Sequence, residues 1–203
     1  NLSSDHIEDI HVDGEDRVWF ATYGGGVSRW DGEKWKSFLP DNTGLAGNQV
    51  MALLEDSRGN IWVGTSEGLS VFDGKGWTVY HELNSDLAYH YIRGFVEDKD
   101  GKIWIGTLNG VSVYDEGEWT TLRRFETGLP SNNIFTVYQD SQERIWLGNS
   151  FGTSFLEDGE WTVYNIRNSG LFSNLVWEIM EDSYGRMWFA HWQGVNILSN
   201  DKW

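Results

Sequence analysis

Tryptophan recurs along this chain with a fixed period. One column holds Trp19, Trp62, Trp104, Trp146 and Trp188, and a second holds Trp35, Trp77, Trp119, Trp161 and Trp203. Successive members lie 42 residues apart, with a single step of 43 between Trp19 and Trp62. The extra residue lies in Tyr23-Gly24-Gly25-Gly26, one longer than Ser66-Glu67-Gly68. Leu2, Leu45, Leu87, Leu129 and Leu171 keep the same register, and so do Asp13, Asp56, Asp98, Asp140 and Asp182. A chain with this internal period must build one structural unit five times, whatever that unit is.

Strand and turn signals identify the unit. In the third copy, Ile92 to Glu97 is an apolar-rich run and Asp98-Lys99-Asp100-Gly101 a turn cluster. Ile103-Trp104-Ile105-Gly106-Thr107 is a second run, and Leu108-Asn109-Gly110 turns again. Val111-Ser112-Val113-Tyr114 alternates, Asp115-Glu116-Gly117 turns, and Trp119-Thr120-Thr121-Leu122 closes the unit. Runs of β-branched and aromatic residues divided by Gly, Asp and Asn are strands joined by tight turns. No segment has helical spacing long enough to compete, which excludes a helical-pair repeat. Four short antiparallel strands per copy predict an all-β, five-bladed β-propeller of about 42-residue repeats. The strands are A to D from the inner to the outer edge. The blades are expected at about 1–43, 44–85, 86–127, 128–169 and 170–203 of one domain. The fifth stops at Trp203, the first D-column residue, and so lacks most of its outer strand. Its edge, Val195-Asn196-Ile197-Leu198, leaves two readings open: an edge that pairs with a second copy, giving a homo-oligomer, or simply the place where the chain was cut.

Composition narrows the partners. A formal net charge of -16 argues against nucleic acid and anionic membranes. There is no cysteine, and so no disulfide or thiolate metal site. No apolar run is long enough to span a bilayer, and no leader pattern is present. The chain begins at Asn1 rather than Met, which reads as a processed or trimmed product.

The repeat resembles that of the two-component regulator propellers. Copy two carries Leu45-Ala46-Gly47-Asn48-Gln49-Val50, then Glu55-Asp56-Ser57-Arg58-Gly59-Asn60-Ile61-Trp62-Val63-Gly64-Thr65, then Gly68-Leu69, and copy three matches as closely. The resemblance covers all five copies. It implies a sensor-type propeller in the periplasm or outside the cell, attached to a larger signalling protein and binding a glycan or another small ligand. Sensor domains of this kind typically use rings of seven blades, and this sequence holds five copies.

Columns constant in every copy are read as blade architecture, and columns that vary as positions available for function. The strand B tryptophans are expected to pack between blades. Gly64, Gly106 and Gly148, with Ala21 and Ala190 in the same column, are expected where blades crowd. The Asp column is read as a cap of the A–B turn. A calcium-loop reading of Asp98-Lys99-Asp100-Gly101 lacks the further oxygen ligands that such a loop needs, so neither metal nor cofactor is expected.

What remains gathers at the end of the blades where strand A begins and the B–C turn lies. The predicted ligand-binding residues are Tyr23, Tyr91, Arg93, Phe135, Phe151, Trp177, Glu178, His191 and Trp192. Trp177 shares its column with Glu8, Met51, Arg93 and Phe135, and Trp192 with Tyr23, Ser66, Leu108 and Ser150. Thr22, Thr65 and Thr107 give way in their column to Asn149 and His191. Aromatic platforms with scattered polar groups suit a sugar or another amphipathic small ligand. The alternative for these residues is a scaffold that holds a protein segment, and for the inner positions it is filler of a narrow channel. Glu8, Asp9, Glu178, His6 and His191 are the candidate acids and bases. A glycosidase or lyase would need two of them to face each other, and no nucleophile, base and orienting group can be read together, so no catalytic residue is predicted and binding is expected. A fragment or engineered chain without activity of its own is the remaining reading.

Overall fold

The computed structural model describes residues 1–203, Glu126 by its backbone alone. Nineteen strands form five antiparallel sheets. The first is β1 (Ile7–Val12), β2 (Val18–Thr22), β3 (Gly26–Trp30) and β4 (Trp35–Phe38). The second is β5 (Val50–Glu55), β6 (Ile61–Thr65), β7 (Leu69–Phe72) and β8 (Trp77–Tyr80). The third is β9 (Ile92–Glu97), β10 (Ile103–Thr107), β11 (Gly110–Asp115) and β12 (Glu118–Leu122). The fourth is β13 (Ile134–Gln139), β14 (Ile145–Asn149), β15 (Gly152–Glu157) and β16 (Glu160–Tyr164). The fifth has three strands, β17 (Val176–Glu181), β18 (Met187–His191) and β19 (Gly194–Leu198). Strand order follows the chain in every sheet, so each is a meander and the fold is a five-bladed β-propeller. Trp203 does not form a fourth strand. It packs its indole on Phe189 and Tyr164, at ring centroid distances of 5.3 and 5.2 Å.

Two departures from the expected pattern lie in the connections between blades. Pro40–Thr43 (α1) and Arg124–Thr127 (α2) each form a single helical turn. Each ends on a glycine, Gly44 or Gly128, with φ near 80°, the left-handed conformation that stops a helix.

The chain divides into two compact units, 1–94 and 95–203. In the first, Trp19 is fully buried, stacked on Phe38 of its own blade at 5.3 Å and against Phe72 of the next at 6.0 Å. In the second, Trp146 is fully buried, against Phe155 of its own blade at 4.7 Å and Phe189 of the next at 5.5 Å. These indoles are the wedge between neighbouring blades. The small residue of strand B is required by the same approach. A Cβ on Gly106 would lie 2.9 Å from Ile134 and Val137, and one on Gly148 would lie 2.7 Å from the Val176 carbonyl.

The invariant aspartate does more than cap its turn. Asp140 accepts from the N–H groups of Gln142 and Arg144 through Oδ1, and from Arg144 Nε and Trp146 Nε1 through Oδ2. The Asp-to-indole bond recurs at 2.6–2.8 Å in all five blades, on Trp19, Trp62, Trp104, Trp146 and Trp188. The two strongest columns in the sequence are therefore one hydrogen-bonded device, which ties the A–B turn to the wedge between blades.

Candidate functional site

The inner strands are not regular. Pairing slips by one residue between Ile7 and Asp9, Val50 and Ala52, Ile134 and Thr136, and Val176 and Glu178. The bulged residues are Glu8, Met51, Phe135 and Trp177, members of the variable column that also holds Arg93. A bulge re-aims its side chain away from the ladder, which explains why this column is not held to one residue type.

In unit 1 the mouth end of the first blade holds Tyr23, His6 and Glu8. The Tyr23 ring lies 5.3 Å from that of His6, and His6 Nε2 is 3.2 Å from Glu8 Oε1. The longer B–C turn has a local purpose. Gly24 N and Gly26 N both donate to the carbonyl of Asn48, at 3.0 and 2.9 Å. Asp9, a candidate base, spends its carboxylate on the N–H groups of Leu53 and Ile10, and burial raises its pKa despite those bonds. Tyr91 and Arg93 are half-buried at the head of β9.

In unit 2 the corresponding end of the fourth and fifth blades carries the larger group. Trp177 stacks on Phe135 with centroids 4.4 Å apart and planes inclined by 27°. Phe135 is buried and Trp177 half-exposed. Trp192 stands on the turn between β18 and β19 at 84% exposure, and Phe151 on the turn between β14 and β15 is exposed beneath the Arg124 guanidinium at 5.3 Å. Glu178 accepts from Thr136 Oγ1 at 2.8 Å and is thereby fixed between the inner strands.

Three further side chains belong with this group, and one of them, Phe172, was missed in the sequence. Phe172 packs against the His191 ring at 4.9 Å. A signal for it exists, since its column otherwise holds Ser3, Ala46, Ala88 and Pro130. Asn133 and Asn149 are the others. In blades one to three the threonine that ends strand B satisfies itself locally: Thr22, Thr65 and Thr107 donate to Gly26, Gly68 and Gly110 carbonyls at 2.8–2.9 Å. Their replacements do not. Asn149 is fully buried; its Oδ1 accepts from Phe151 N, while Nδ2 has no partner. His191 is buried; Nδ1 lies 3.3 Å from the Leu175 carbonyl, while Nε2 has no hydrogen-bond partner. Asn133 Oδ1 is likewise unpaired. Since a carbonyl can only accept, Nδ1 carries the proton of the neutral ring and Nε2 is an acceptor. Burial depresses the His191 pKa, outweighing the Leu175 carbonyl and Asn196, which favour protonation. Among the described residues no cluster of His, Asp and Glu has the arrangement of a metal site.

Meander blades keyed by an Asp–Trp hydrogen bond, with aromatic and polar residues gathered where strands A begin, define a β-propeller with a variable mouth. Segments 44–67, 86–109, 128–151 and 170–193 each match the two-component regulator propeller repeat. The chain is thus a propeller built of two-component regulator propeller repeats. It is similar to the extracellular domain of a hybrid two-component system from B. thetaiotaomicron, at 27% identity and a TM-score of 0.85 over 97% of this chain and 28% of that one. A one-component system's extracellular domain from the same organism has a TM-score of 0.81 at 19% identity, with the same coverage. The chain spans little more than a quarter of the length of these relatives. A virginiamycin B lyase from Staphylococcus aureus shares the fold at 17% identity and a TM-score of 0.74, over 100% of this chain and 71% of that one. No curated protein sequence matches the chain.

Proposed function

We propose that this propeller is an extracytoplasmic, sensor-type ligand-binding module rather than an enzyme, and that its ligand is a glycan or a similar polyhydroxylated molecule taken at the mouth of the fourth and fifth blades. One observation carries this reading. Where three blades close the end of strand B with a self-satisfied threonine, these two carry polar groups left unpaired: an Asn149 donor and a His191 acceptor. An unpaired buried polar group costs roughly 1–3 kcal/mol, a cost removed when a ligand supplies the partner. A hydroxyl both donates and accepts, so sugar hydroxyls can satisfy either group. Trp192, Trp177 and Phe151 offer the flat apolar faces that sugar rings stack on. Phe172 lies over His191, and its displacement is the step that admits the hydroxyl.

The relatives' placement outside the cell supports the compartment, and the repeat supports the sensor role. Titration calorimetry against a panel of neutral and acidic oligosaccharides tests the reading. It expects a binder whose affinity falls at least tenfold in Trp192→Ala and in His191→Phe. A panel without binders, or a binder indifferent to both substitutions, overturns it.

A further inference from the structure

Beside the wedge tryptophan, strands C and D pair in the same way in the second, third and fourth blades. Val71 lies opposite Thr78, Val113 opposite Thr120 and Phe155 opposite Thr162. The first blade departs from this pattern. There Arg29 lies opposite Lys36, two cations in a directly facing pair. Like charges at this spacing repel, so pairing within the sheet does not explain the exchange.

Both cations lie over aromatic rings of the first blade. The Arg29 guanidinium carbon is 5.4 Å from the centre of the Trp19 ring and 5.9 Å from that of Phe38, and Lys36 Nζ is 4.8 Å from that of Phe38. Such contacts fix where the charges point without neutralising them. Among the described residues neither cation has a carboxylate at ion-pair distance, although the chain carries 31 acidic residues against 15 basic ones. Asp31, just beyond strand C, is engaged by the N–H groups of Glu33 and Lys34 in its own turn. Arg29 Nε is buried without a hydrogen-bond partner, and the guanidinium donates to no described residue. A planar set of donors, held by stacking and left without an acceptor, is prepared for an oxyanion.

The second blade supplies a facing wall. Trp77 is half-buried, meets Phe38 edge-on at 5.4 Å and lies 5.1 Å from Phe72. It opens strand D of its blade, as Lys36 stands near the opening of strand D in the first, so both lie at the C–D turn end, away from the mouth.

We propose that Arg29 and Lys36 form an anion site, separate from the mouth, that takes a carboxylate carried on a flat apolar group. The carboxylate bridges the Arg29 terminal nitrogens and Lys36 Nζ, and the flat group lies along Trp77.

Benzoate and acetate, titrated into the ¹⁵N-labelled chain at constant ionic strength, test the proposal. Benzoate is expected to shift the backbone amides of Arg29, Lys36 and Trp77 saturably. Acetate, which lacks the flat group, is expected to bind at least threefold more weakly. The double variant Arg29→Val, Lys36→Thr copies the pair of the second blade and is expected to keep its circular dichroism. It is expected to lose at least tenfold in benzoate affinity while oligosaccharide binding at the mouth stays unchanged. Trp77→Leu is expected to abolish the preference for benzoate over acetate. Benzoate that shifts none of these amides, shifts that persist in the double variant, or equal affinity for the two acids overturns the proposal.

Discussion

The indole of Trp177 lies stacked on the ring of Phe135, 4.4 Å between centroids, and both residues occupy the bulge of an inner strand. Both side chains leave their strands at bulges, which aim them away from the ladder and toward each other.

Trp177→Ala is therefore expected to cost about 2 kcal/mol of stability, half of what a fully buried tryptophan costs, because the indole is only partly covered. Urea unfolding followed by circular dichroism measures it. The same substitution opens Phe135 to solvent and is expected to weaken oligosaccharide binding without abolishing it.

Asp140→Asn is expected to be more damaging. The carboxylate is buried and holds four donors, including the Arg144 guanidinium and the Trp146 indole. An amide cannot accept from all four and leaves Arg144 without its counter-charge, so a loss of about 3–5 kcal/mol is expected. Unfolding in urea gives the value, and a loss below 1 kcal/mol would show that the Asp–Trp bond is dispensable.

Gly148→Ala places a methyl group 2.7 Å from the Val176 carbonyl and from Thr136 Cγ2. The backbone cannot yield without moving the neighbouring blade, so a destabilisation of about 1–3 kcal/mol is expected. The reverse change, Ala21→Gly, relieves no clash and is expected to cost about 1 kcal/mol or less through chain entropy alone. Thermal unfolding of the pair distinguishes crowding from propensity.

Acid stability has a defined sign. Burial alone would raise the pKa of Asp13 and Asp182, but the indole and the arginine bonded to each overcome it and hold both carboxyls below their ordinary range. Their stabilisation is complete above the unfolded value of about 3.9 and is lost as pH falls through the lower native values. Two weaker effects oppose each other at higher pH. His191, depressed by burial, loses stability as pH falls from about 6.5 through its native value, while Asp9, raised by burial, regains some as it takes up its proton. The melting temperature is expected to change little between pH 6.5 and 4 and to drop steeply below 4. Asp182→Asn is expected to flatten that acid limb. Ligand binding is expected to weaken as His191 protonates, because Nε2 then ceases to accept.

Most of the blade was legible in the residues. Turn chemistry and the alternation in β9 to β12 placed each strand, and the Trp and Asp columns announced an architectural pair. Their hydrogen bond was not legible, because six residues of separation across a hairpin says nothing about where an indole nitrogen points. The mouth was half legible. Trp192 and Trp177 stand out as departures from their columns, and so does the change from threonine to Asn149 and His191. Phe172 departs from its column as well, yet its meaning depends on lying over His191, which no spacing specifies.

The sequence by itself determined the unit, its number and the positions that may vary, because a period of 42 residues forces every constant residue into the same environment five times. Only the tertiary structure decided which varied residues meet. Contacts such as Phe135 with Trp177, or Thr136 with Glu178, join residues 42 apart on neighbouring inner strands, and depend on bulges and blade spacing rather than on local propensity. It also decided which apolar residues are covered. Ile179 is buried in one cluster with Trp146 of the preceding blade, so its burial belongs to the neighbouring blade and not to the residue itself.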